Sequence, residues 1–134
     1  MDTTSNLTLI QNLFKSFGAK DIPTFLSNFT PDAVWTEPGD SDIPYSGSYT
    51  GHAGIGELLT KISQLMQMKA FVPTSFFATG NQVAVYGNDS ATVIATGKSY
   101  SSLWSYVFTI DENSKVTNLQ VYMDTLAIAK AFTP

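Results

Sequence analysis

The chain has 134 residues, 43% of them hydrophobic and 13% aromatic, which is enough apolar material for one domain with a single filled core. Eleven acidic residues against seven basic ones give a net charge of −4, too sparse to keep any stretch unfolded by self-repulsion. Every basic residue is Lys, so the bidentate fork that phosphate and guanine recognition ordinarily uses is missing, and nucleic acid is not an expected partner.

Leu7, Ile10, Phe14 and Phe17 recur at helical spacing and predict a first helix over residues 4–18, which Gly18 can end. Asp21-Ile22-Pro23 offers a capping side chain and a first-turn Pro for a short second helix burying Phe25, Leu26 and Phe29, and Thr30-Pro31-Asp32 stops it. Ala33 to Glu37 reads as a strand with Trp35 and Glu37 on one face. Pro38 to Gly51 is turn chemistry, a long loop or loose hairpin. Ile55, Leu58, Leu59, Ile62, Leu65 and Met66 then predict a third helix over residues 53–68. From Phe71 onward, turn signals at Thr79-Gly80-Asn81, Gly87-Asn88-Asp89, Gly97-Lys98 and Asp111-Glu112-Asn113-Ser114 divide the chain into four strands. This order predicts an α+β domain in which three helices cover the concave face of a strongly bent antiparallel sheet, with residues 103–110 and 116–124 as adjacent antiparallel strands.

With no Cys, one His and scattered carboxylates apart from Asp40-Ser41-Asp42, no metal-ligand spacing is recognisable, and neither a metal nor another cofactor is expected. Gly51-His52-Ala53-Gly54-Ile55-Gly56 has glycines three and two apart, unlike the dinucleotide fingerprint, and reads as a flexible helix start. His52 is then a surface or helix-terminal residue that could assist proton transfer only if it stood near a pocket mouth. Met1 to Asn6 carries neither a basic start nor a long apolar run, so no signal peptide and no membrane span is expected, and the cytoplasm is the expected location. The triplets at Asn6, Asn28 and Asn88 accordingly read as chance matches to glycosylation sites.

Three segments carry a family likeness. They are Gly18 through Phe29-Thr30-Pro31-Asp32-Ala33-Val34-Trp35-Thr36-Glu37-Pro38-Gly39, then Ser46-Gly47 through Gly51 into Ile55, and finally Leu103 to Phe108 with Leu119-Gln120-Val121-Tyr122-Met123-Asp124. In order and spacing the chain resembles the nuclear-transport-factor-2-like superfamily, in particular its ketosteroid-isomerase-like and SnoaL-like members, over nearly its whole length. The resemblance implies a cone-shaped, curved sheet around helices, open at one end as a pocket. It puts Glu37 where ketosteroid isomerases hold their general base. The same correspondence puts Leu13 and Tyr106 where those enzymes hold the donors that stabilise an enolate oxygen; Leu13 cannot donate, which argues against steroid isomerisation by the family mechanism. Tyr122-Met123-Asp124 is similar to the Tyr-x-Asp of many SnoaL-like proteins and limonene epoxide hydrolases, where the Asp is a general acid or base. The epoxide hydrolases also use an Arg, absent here.

Together the residues and the resemblance predict a pocket lined by Trp35, Trp104, Tyr106 and Tyr122, with Asp124 as leading acid/base and Glu37 as second carboxyl. Each carboxyl stands two residues from an aromatic that would dry it. A pocket without Arg suits a small, neutral, apolar molecule. Two classes remain open: a proton-transfer enzyme of isomerase, cyclase or hydrolase type, and a non-catalytic binding or interaction module of the same fold. A homodimer is expected through an outer sheet face bearing Leu119, Val121 and Met123.

Overall fold

The computed structural model describes residues 3–134; Met1 and Asp2, with which the reading of the N-terminus begins, lie outside the described residues. Two helices, α1 (Thr3–Gly18) and α2 (Ile22–Ser27), lead into β1 (Phe29–Glu37). A loop, the short β2 (Gly47–Thr50) and α3 (Gly51–Leu65) follow, then the long strands β3 (Met66–Thr79), β4 (Gln82–Val93), β5 (Ser99–Ile110) and β6 (Val116–Met123), and finally α4 (Thr125–Phe132). The six strands form one curved, unclosed sheet in the order β2-β1-β6-β5-β4-β3. β5 and β6 are adjacent and antiparallel from Trp104–Met123 to Ile110–Val116, as expected.

Local chemistry explains most boundaries. The stripe of α1 buries Ile10 and Leu13, and Asp21 caps α2 by accepting from the Thr24 N–H. α3 ends at Leu65, three residues before the predicted limit, because Met66 is the first residue paired with β4, opposite Val93. β1 begins at Phe29, and Pro31, which has no N–H to give, sits where the ladder to β6 is interrupted between Phe29 and Val34. Gly51, at φ +75°, starts α3 so close to the Pro31 carbonyl that a Cβ would come within 2.9 Å of its oxygen.

Three features depart from the sequence reading. β1 runs parallel to β6, so the sheet is mixed. A fourth helix, α4, follows Asp124. Gly87-Asn88-Asp89 is not a turn but the middle of β4, paired with Trp104, Leu103 and Ser102 of β5. Facing it, the β3–β4 register slips between Pro73 and Ser75, and this irregularity meets a strand position whose α-carbon is bare: a Cβ on Gly87 would fall on the Val72 carbonyl oxygen and 2.8 Å from Cζ2 of Trp104.

The core lies between the helices and one sheet face, with Ile10, Ile55, Leu58, Val83, Val85 and Val121 fully buried. Ile43 and Tyr45 of the β1–β2 loop are buried too, and Tyr45 meets Phe132 of α4 edge-on at 6.1 Å, so loop and helix close one end of the interior. Among the described residues, no helix is long and apolar enough to cross a membrane.

Candidate functional site

Alternation along β1 turns Trp35 and Glu37 to the same inner face. The Trp35 indole, packed on the Phe25 and Phe29 rings, donates from Nε1 to Glu37 Oε2 at 2.6 Å. Glu37 is 4% exposed. Burial pushes its carboxyl up from 4.5 to about 7; the indole hydrogen bond works against that rise, and the nearby Asp89 charge adds to it.

β5 supplies the facing wall. Trp104, Tyr106 and Phe108 alternate inward; Tyr106 meets Trp35 edge-on at 6.4 Å between ring centroids and Trp104 at 4.6 Å. Burial and the carboxyls Glu37 and Asp89 hold the Tyr106 hydroxyl well above its ordinary value. Trp35, Glu37, Trp104 and Tyr106 thus come together as the sequence suggested.

Tyr122 and Asp124 do not join them. Directly opposed residues of an antiparallel pair share a face, and the β5–β6 register sets Trp104 against Met123, Tyr106 against Val121 and Ser105 against Tyr122. Inward Trp104 and Tyr106 therefore carry Val121 and Met123 inward and send Tyr122 out, where it is 55% exposed. Asp124 leaves the sheet altogether. Its exposed side chain accepts from the Ala127 N–H at 3.0 Å as the cap of α4, and its own N–H donates to Ser102 Oγ at 3.0 Å. The same register overturns the expected outer face: Leu119 and Val121 are buried, and the exposed apolar groups of the convex side include Val72, Phe77, Tyr86, Leu103 and Tyr122.

Asp89, Tyr45 and Tyr100 complete the inner polar group, and sequence reasoning missed all three. Asp89 is 5% exposed, and burial raises its carboxyl from 3.8 to about 7. Its signal was present in the even alternation of Val83, Val85, Gly87, Asp89, Ala91 and Val93, hidden by the turn-like wording of Gly87-Asn88-Asp89. The Tyr45 and Tyr100 phenols interact, and Tyr100 donates to Met66 Sδ at 3.7 Å. Burial, first of all, pushes both phenols above their ordinary value.

His52 donates its Nε2–H to the Phe29 carbonyl at 2.8 Å and serves the α3 terminus. No group of three or more His, Asp or Glu among the described residues could hold a metal ion. A cleft of about 430 Å³ between α1 and β3 is lined by Gln11, Phe14, Lys15, Pro73 and Phe76, and the Phe14 ring at its floor packs on Phe71, Trp104, Tyr106 and Phe108. A hollow of about 490 Å³ opens between Tyr86, Leu103 and Tyr122 and has no carboxyl in its lining. The carboxyl chemistry belongs to the concave side, where a dry acid near neutrality faces an aromatic wall and can give or take a proton.

Comparison with known proteins agrees with this architecture. A SnoaL-like domain model matches residues 10–119. Among solved structures, a nuclear-transport-factor-2-like protein of Burkholderia xenovorans LB400 is 32% identical, with a TM-score of 0.89 over 99% of each chain. TerC, co-crystallised with polyporic acid, is 26% identical, with a TM-score of 0.81 over 96% of this chain and 98% of TerC. A nuclear-transport-factor-2-like protein of unknown function from Burkholderia pseudomallei K96243 is 22% identical over 100% of each chain, with a TM-score of 0.84, and shares the fold. No curated protein matches the chain. Matched by the domain model through its helices and sheet, and alike along its whole length to a solved relative, the chain belongs to the SnoaL-like family of the nuclear-transport-factor-2-like superfamily.

Proposed function

We propose that this protein holds a small, neutral, mainly apolar molecule against the concave face of the sheet and moves a proton on it, with Glu37 as the general acid/base. The observation that carries the reading is the state of Glu37: buried, fixed through Oε2 by the Trp35 indole, and raised to about 7 by dehydration. A carboxyl of that strength is half in each form near neutral pH, where the product of available base and available acid is greatest. Trp35 is the positioning residue, and Trp104 and Tyr106 form the wall against which an apolar ring would pack. The leading role passes from Asp124 to Glu37 because Asp124 spends an oxygen capping α4.

The likeness to TerC, which was crystallised with polyporic acid, supports a small-molecule pocket on this fold. The reading includes a homodimer through the convex face, where Leu103 is 78% exposed beside Tyr86 and Tyr122, and the outward residues of β5 between Ser99 and Thr109 carry no charge.

The test is exchange of α-protons for deuterium in a panel of ketones, lactones and polyketide-like aromatics, followed by NMR. The protein should accelerate exchange for at least one member, and Glu37→Gln should lower that rate by about two to four orders of magnitude. Full exchange by Glu37→Gln would refute the assignment. Binding without any exchange would make the concave face a binding site only.

A further inference from the structure

Asp89 presents a problem that Glu37 does not. Its Oδ1 is buried with no hydrogen-bond partner, and its direct neighbour across the ladder, Ser102, turns its hydroxyl to the Leu103 carbonyl and the Asp124 N–H instead. The Trp104 Nε1–H is likewise buried without a partner. Native interiors seldom leave polar atoms unpaired, since each one costs free energy that an apolar side chain would not.

The two orphans lie on adjacent strands. Trp104 lies opposite Gly87 and Asp89 opposite Ser102, so the pair occupies diagonal positions on the inner face of β4 and β5. The bare Gly87 lets the indole lie across β4 to stack on Phe71 at 4.9 Å, and Phe71 is the β3 partner of Asp89. An unpaired carboxyl oxygen and an unpaired indole N–H therefore lie diagonally across one inner strand pair among aromatic rings, and Phe14, which lines the cleft between α1 and β3, stacks on Trp104.

We propose that Asp89 and Trp104 form a hydrogen-bonding subsite for the carbonyl oxygen of a planar aromatic ketone, a second polar site on the concave face besides Glu37. The proposal rests on reading that face as a small-molecule pocket. A carbonyl oxygen has two lone pairs and can accept from both donors, whereas a hydrocarbon of the same shape leaves both unpaired. The ring of the ligand takes the place of Phe14 over Trp104 and Phe71. The groups that face Asp89 are Glu37 from β1, Tyr45 from the β1–β2 loop, and Tyr100 and Tyr106 from β5. None is cationic, so the donating, protonated form of Asp89 is the one favoured by burial, and ligand binding weakens as pH rises through about 7.

The experiment compares acetonaphthone with ethylnaphthalene, which differ by the carbonyl oxygen, in titrations at pH 6 followed by NMR of the two indole N–H signals. Acetonaphthone should bind about tenfold more tightly and move the Trp104 signal downfield, leaving that of Trp35, already bonded to Glu37, in place. Asp89→Leu should abolish the tenfold preference while making the protein more resistant to urea, the reverse of what a structural carboxyl would show; Trp104→Phe, which keeps a ring and loses the N–H, should reduce it severalfold. Equal affinities for the two ligands, a preference that survives both substitutions, or no binding of either ligand would overturn the proposal. These titrations read binding without turnover, so they can fail while Glu37-dependent exchange stands, and the converse.

Discussion

Replacing Glu37 by Gln tests the dehydration of the site through stability alone. In the unfolded chain this carboxyl ionises at its ordinary 4.5, and in the folded protein at about 7. Between those values the native state keeps a proton that the unfolded state has lost, so raising the pH favours unfolding. The stabilisation is fully present below 4.5 and is lost as pH rises through 7. At about 1.4 kcal/mol per pH unit, a gap of about 2.5 units amounts to about 3 kcal/mol. Gln cannot ionise, yet its amide oxygen can still accept from the Trp35 indole where Oε2 does now. Relative to the wild type, Glu37→Gln should therefore gain about 3 kcal/mol between pH 4 and pH 8. Urea unfolding of both proteins across that range measures it, and Asp89, present in both, cancels to first order. Two stability curves that run parallel would refute the reasoning: Glu37 would then be as well solvated as a surface carboxyl, and no base for neutral proton transfer.

Asp124→Ala should cost about 1 kcal/mol in thermal unfolding through the lost cap of α4, with the Glu37-dependent exchange rate unchanged. Gly87→Ala forces a methyl onto the Val72 carbonyl and to within 2.8 Å of Trp104; a destabilisation of about 2 kcal/mol with altered tryptophan fluorescence is expected. Leu103→Glu should turn dimers into monomers at micromolar protein, read by light scattering, and a wild-type monomer in that assay would remove the convex-face interface.

Much of this protein was decided locally. The stripes of Leu7, Ile10 and Phe14 in α1 and of Ile55, Leu58 and Ile62 in α3 could bury their apolar faces only as helices, and turn chemistry at Thr79-Gly80-Asn81 and Asp111 to Ser114 separates strands in any fold. The pairing of Trp35 with Glu37 was readable for the same reason, since residues two apart on a strand share a face whatever lies beside it. The α4 helix was readable in principle from Asp124 preceding an Ala-rich segment, but the resemblance to a Tyr-x-Asp acid drew that carboxyl into the site instead. What only the tertiary structure decided is which face of each strand looks inward. Alternation has a period of two and is blind to direction, so Tyr122 and Asp124 fitted a pocket as well as Val121 and Met123 did until the pairing of Trp104 with Met123 chose between them. Asp89 is the counterpart of that choice: its Gly-Asn-Asp wording favours a turn, and only pairing on both sides, with Phe71 and Ser102, holds it in a strand and turns its carboxyl into the core. Tyr45 and Tyr100 come together across a separation that no local pattern spans, because they meet only after the β1–β2 loop has folded back over the end of the sheet.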